Sequence, residues 1–154
     1  MISYRVIAIP QEIVQQVRAD LKSPQYGHPA HVEVAKGYGP CRSCLQTFRT
    51  GEEKRILFTY NPFAELDPYP SPGPIFIHEN NCSAYDAPGF PHTLRELPLI
   101  LEGMGRGRWL ITREQVVRNN VDEVIGRLFA LPAVEYIHIR NAEAGCFIAH
   151  IERV

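Results

Sequence analysis

The stretch VEYIHIRNAEAGCFIAHIER, residues 134–153, alternates apolar and polar side chains on both sides of a glycine-containing break. Alternation at period two predicts strands that show one face to a core. Val134–Arg140 and Cys146–Arg153 therefore read as a terminal hairpin around Asn141–Gly145. Ile137, Ile139, Phe147, Ala149 and Ile151 make its apolar face. Tyr136, His138 and Arg140 share the other face with Cys146, Ile148 and His150. If residue 140 pairs with 146, His138 lies opposite Ile148 and His150 opposite Tyr136. His138 is then diagonal to both Cys146 and His150. Such a face could line a ligand pocket or supply a general base. The simpler alternative is a solvated sheet face.

Working back from the hairpin, Val116, Val117, Val121, Val124, Ile125, Leu128 and Phe129 recur at helical spacing. Thr112 with Gln115 matches a capping box that would start this helix, and Pro132 ends it. Leu97–Leu101 and Arg108–Ile111 read as strands around the loop Gly103-Met104-Gly105-Arg106-Gly107. Near the start, Tyr4–Ile9 is a strand, and Pro10 opens a helix with Ile13, Val14, Val17 and Leu21 on one face. Ser23-Pro24 stops that helix, and His31–Ala35 is a short strand. Arg55–Tyr60 and Ile75–Ile77 are further strands, separated by a segment with prolines at 62, 68, 70, 72 and 74. Strands outnumber helices in irregular order. The expectation is a single α+β domain over 1–154, mainly antiparallel sheet, with two principal helices and the C-terminal hairpin.

Size and charge are consistent with that. A chain of 154 residues buries ~70% of its unfolded surface. Sixteen Lys and Arg against 17 Asp and Glu leave a net charge of -1, which argues against a general pull toward nucleic acid or anionic membranes. No apolar run approaches the ~20 residues of a membrane span. The first ten residues lack the charged n-region of a leader. The expected location is the cytoplasm, with four cysteines kept as thiols.

Three of those cysteines join a histidine in two short pairs: Cys41-x2-Cys44 and His78-x3-Cys82, with 33 residues between them. Thiolates and a neutral imidazole suit Zn2+ in softness and geometry. Four protein ligands would close the site and make it structural. The turn Gly37-Tyr38-Gly39-Pro40 leads directly into the first pair, and strand 75–77 delivers His78. The alternative for the same residues is buried thiols beside a hydrogen-bonded histidine.

Other chemistry is less well supported. A thioredoxin-like role needs a helix after Cys41, and Ser43–Arg49 is too short before Gly51. Nucleobase deaminases combine a His, Pro-Cys-x-x-Cys and a Glu. Here Pro40-Cys41-x-x-Cys44 precedes His78-Glu79, a reversed order, and adjacent strand residues point to opposite faces. The glycines at 103, 105 and 107 open no helix and do not make a dinucleotide fingerprint. Arg106, Arg108 and Arg113 near Trp109 could hold an anion but read more simply as a solvated basic edge.

Pro-Cys-Arg-Ser-Cys-Leu at 40–45, Tyr-Asn-Pro-Phe at 60–63 and Gly-Pro-Ile-Phe-Ile-His at 73–78 are followed by Cys82, Arg140-Asn141 and Gly145-Cys146-Phe147. In combination they resemble the small bacterial proteins called domain of unknown function 1203. The resemblance covers nearly the whole chain. It implies a bacterial single-domain protein and no particular activity. Three functional expectations stand together: a structural zinc protein, a small-molecule enzyme or binding protein with its pocket between the proline-rich loop and the hairpin face, and a metal-free interaction module.

Overall fold

The structure is a computed structural model and describes residues 3–63 and 73–154. The architecture is α+β, with antiparallel sheets, two α-helices and a C-terminal hairpin. The chain divides into two compact units: Met1–Ile7 with Asp86–Val154, and Ala8–Tyr85. No helix among the described residues is long and apolar enough to cross a membrane. Most of the proline-rich segment, residues 64–72, lies outside the described residues, and so does the pocket expected beside it.

The first unit is built on a five-stranded antiparallel sheet. Its strands are β1 (Tyr4–Ile7), β5 (Leu99–Met104), β6 (Leu110–Gln115), β7 (Tyr136–Asn141) and β8 (Phe147–Arg153), in the order β1-β8-β7-β5-β6. Val6, Leu101, Ile137, Ile139, Ala149 and Ile151 share one face through their register, and all are buried. Burying each isoleucine contributes roughly 1.5–3 kcal/mol. Helix α2 (Val121–Ala130) packs on β5 and β7, burying Val121, Val124, Ile125, Leu128 and Phe129. Gly103 in β5 meets Val134 Cγ2 only 3.0 Å from where a Cβ would stand, so the absent side chain lets that valine approach the strand.

Two expectations in this unit are corrected. Thr112 and Gln115 do not cap a helix. They lie in β6, with Thr112 opposite Gly103 and Gln115 opposite Ile100. The helix starts at Val121, because Arg118 and Asn119 take left-handed backbone (φ 50° and 65°) and interrupt any helix across them. Val117, expected on the apolar face, is 56% exposed. The hairpin register also differs. Arg140 faces Phe147, and Ile139 faces Ala149, so Ile148 is the extra residue of a β-bulge. His138 therefore stands directly opposite His150, and Phe147 moves from the apolar face to the histidine face.

The second unit has a three-stranded antiparallel sheet ordered β2-β3-β4, from β2 (His31–Val34), β3 (Lys54–Tyr60) and β4 (Gly73–His78). Ile56 faces Ile77, and Phe58 faces Ile75, all buried. Helix α1 (Gln11–Asp20) follows Pro10, packs on β3 and buries Val14 and Val17. Leu21 is not on that face. It is the left-handed C-cap (φ 52°), its N–H closing on Val17 O at 2.8 Å, and its side chain is exposed.

Candidate metal centre

The second unit carries the quartet on two adjoining pieces of backbone. Residues 42–44 form a tight turn after Gly37 (φ 73°) and Pro40. Cys41 donates its N–H to Gln46 O at 2.9 Å, and its carbonyl accepts from Leu45 N at 2.8 Å. The turn is tied to β4 by Arg42 N to Phe76 O at 3.0 Å. His78 is the last residue of β4, and Cys82 follows in irregular chain. The strand end and the turn therefore face each other, which the two sequence spacings alone do not dictate.

All four candidate ligand atoms lie within 4.8 Å of one another. Cys41 Sγ and Cys82 Sγ are 3.9 Å apart, and Cys44 Sγ lies 3.5 Å from His78 Nδ1. Cys41 is fully buried, Cys44 and His78 nearly so, and Cys82 half-buried. All four cysteines of the chain are free thiols. Backbone N–H groups of Ser43 and His78 both donate to Cys41 Sγ at 3.4 Å. Such donors spread negative charge off a thiolate. The cluster could hold a metal ion.

Two supporting residues were not read from the sequence. Glu53 Oε2 lies 3.1 Å from His78 Nε2, so a carboxylate engages the nitrogen facing away from the cluster. This arrangement orients a ligating imidazole and fixes its tautomer. Arg18 donates from Nη2 to Cys82 Sγ at 3.3 Å and from Nε to His78 O at 3.2 Å. Phe48 closes the other side of the ring, with centroids 4.6 Å apart. Glu53 immediately precedes β3, whose Arg55 faces His78. That strand pairing is non-local, so the sequence carried no signal for Glu53. Nothing in the helical pattern marks Arg18.

Within the quartet, the side chains shift the protonation of Cys44, His78 and Cys82. Hydrogen bonds from Cys41 and Cys44 hold the Cys82 thiol far below the usual range; His78 and Arg18 add to this and burial opposes it. Hydrogen bonds to Cys41 and Cys82, then burial, push the Cys44 thiol above its usual range. His78 is pushed up to about 10, first by its hydrogen bonds to Cys41 and Cys82. Glu53 is lowered, chiefly by the Arg49 N–H and also by His78.

The second predicted constellation lies in the first unit. Tyr136, His138 and His150 come together, with ring centroids 5.0–5.5 Å apart, and Phe147 meets His138 at 4.9 Å. Burial pushes His138 down to about 3, with His150 and Arg140 adding to it, and burial also lowers His150. Arg140 turns to Glu102 at 2.6 Å and to Gly145 O at 3.0 Å. Glu102, which faces His138 across β5, is a further residue the sequence reading missed. A charge within the apolar run LILEGM (99–104) was its signal. Cys146 is half-buried just before β8, its carbonyl accepting from Asn141 N at 2.9 Å. An open cleft of about 430 Å³ in this unit is lined by residues including Arg95, Pro98, Val116 and Arg118, and by none of the predicted site residues.

A family model described as "Protein of unknown function (DUF1203)" matches residues 38–153, a span that includes both constellations. No curated protein and no solved structure matches the chain.

Proposed function

The chain belongs to the DUF1203 family of proteins of unknown function, and we propose that it is a zinc protein in which Cys41, Cys44, His78 and Cys82 hold one structural Zn2+. The observation that carries this reading is the spacing of the ligand atoms. Tetrahedral zinc with Zn–S of ~2.3 Å and Zn–N of ~2.0–2.1 Å sets S–S edges of about 3.8 Å and S–N edges of about 3.6 Å. The Cys41–Cys82 and Cys44–His78 separations are 3.9 and 3.5 Å. The glutamate on the far nitrogen of His78 and the N–H donors on Cys41 support the same reading. Four protein ligands leave no open position for a substrate or an activated water. The metal's role is then to join the turn at 41–44 to the end of β4 and to Cys82, in a compartment reducing enough to keep thiols, such as the cytoplasm.

Protein purified without chelator is expected to contain about one zinc per chain. Cobalt substitution is expected to give the visible bands of a tetrahedral thiolate site. The double substitution Cys41→Ser with Cys82→Ser should abolish both signals. A folded chain that takes up neither zinc nor cobalt refutes the proposal.

A further inference from the structure

The three sulfurs of the quartet occupy unlike surroundings. Cys41 is fully buried and held by two backbone N–H donors. Cys44 is buried against His78 Nδ1. Cys82 is half-exposed, lies outside any strand or helix, and takes the Arg18 guanidinium at 3.3 Å. Its Sγ is 3.9 Å from that of Cys41. A disulfide needs about 2.05 Å, so a shift of about 2 Å, taken up by the irregular chain at Cys82, brings the pair to bonding distance.

We propose that Cys82 and Cys41 are a hydroperoxide-sensitive thiol pair, whose oxidation to a disulfide releases the metal. This rests on the zinc reading above. Cys82 Sγ attacks one oxygen of the hydroperoxide; an S–O bond forms as the O–O bond breaks, and the leaving oxygen departs as alcohol or water after taking a proton from solvent. The sulfur is oxidised to a sulfenic acid and the peroxide is reduced. Cys41 Sγ then attacks Cys82 Sγ; the S–S bond forms, the S–O bond breaks, and the hydroxyl leaves as water with a second solvent proton. Two electrons pass from the two sulfurs to the peroxide. Two of the four ligands are consumed, and the remaining Cys44 and His78 are too few to retain zinc.

Position determines the order of attack. Cys82 is the accessible member of the set, and the Arg18 charge beside it lowers the cost of the anion that leaves the peroxide. Cys41 sits beneath it as the resolving thiol.

The test uses full-length protein with Cys146→Ser, which removes the half-exposed thiol outside the quartet. Zinc-loaded protein is treated with equimolar hydrogen peroxide. A chromogenic chelator reports released zinc, and peptide mass spectrometry without reductant maps disulfides. About one zinc should be released per Cys41–Cys82 disulfide formed, and dithiothreitol with added zinc should restore the starting state. In zinc-loaded protein, Arg18→Met should slow disulfide formation about tenfold, the worth of one charge-assisted hydrogen bond. Retained zinc, a Cys41–Cys44 disulfide, or sulfinic acid at Cys82 without a disulfide overturns the proposal. A chain with no zinc before peroxide is added refutes the zinc reading itself, and starting metal content tells that failure from the other.

Discussion

Leu45 follows the second cysteine of the turn with φ 62°, a conformation glycine adopts without strain. A leucine stands there because its side chain is fully buried, and core burial offsets the backbone cost. The same trade between backbone and contact explains Glu53. Its carboxylate accepts the Arg49 N–H at 2.7 Å and engages His78 at 3.1 Å, so one side chain closes a turn and orients a candidate ligand. Glu53→Gln keeps the shape and removes the charge. Zinc affinity, measured by competition with a calibrated chelator, is expected to fall ~10–100-fold. An unchanged affinity would show that Glu53 serves the turn alone.

At the scale of elements, the corrected start of α2 has a direct consequence. Val121 is fully buried at its first turn, whereas Val117 is 56% exposed before it. Val121→Thr puts a hydroxyl into the core and should cost about 1–3 kcal/mol in urea unfolding. Val117→Thr should stay within about 0.5 kcal/mol. Equal costs would restore the helix that the sequence pattern suggested. That pattern misled because Thr112-x-x-Gln115 satisfies the local rule for a cap, while β5 requires a partner strand and takes those residues. Strand pairing is non-local, and four residues cannot show it. The hairpin bulge was hidden for a related reason: its extra residue is Ile148, fully buried, and no glycine marks it. The quartet was legible because each of its halves is local in sequence. Glu53 and Arg18 were not, since they reach the site from other elements.

For the molecule as a whole, the buried hairpin histidine brings a pH dependence of its own, outside the quartet. His138 is 3% exposed among His150, Tyr136, Glu102 and Arg140, and its pKa is pushed down to about 3 from 6.5. Below pH 6.5 the unfolded chain binds a proton that the native chain refuses. The stabilisation is therefore fully present above 6.5 and is lost as pH falls toward 3, by up to ~1.4 kcal/mol per unit. His150, also lowered, acts in the same direction. The stability difference between the natural chain and His138→Gln should therefore narrow from pH 7.5 to pH 5 in urea titrations. A difference that does not change with pH would mean that His138 has the same pKa in the folded and unfolded chain. The metal quartet lies wholly within Ala8–Tyr85, and His138 lies in the other unit.

The pairing of β1 with β8 puts Tyr4 opposite Arg153. A ribosome makes the first of these strands before Ala8–Tyr85 and the second after it. When Tyr85 has been added, β1 still has no neighbour from its own sheet, while every residue of the quartet has been made. The segment that carries the quartet can thus fold before β8 is made. Closure of the five-stranded sheet must wait until β8 has been made, and the nascent protein carries an unpaired strand edge until then.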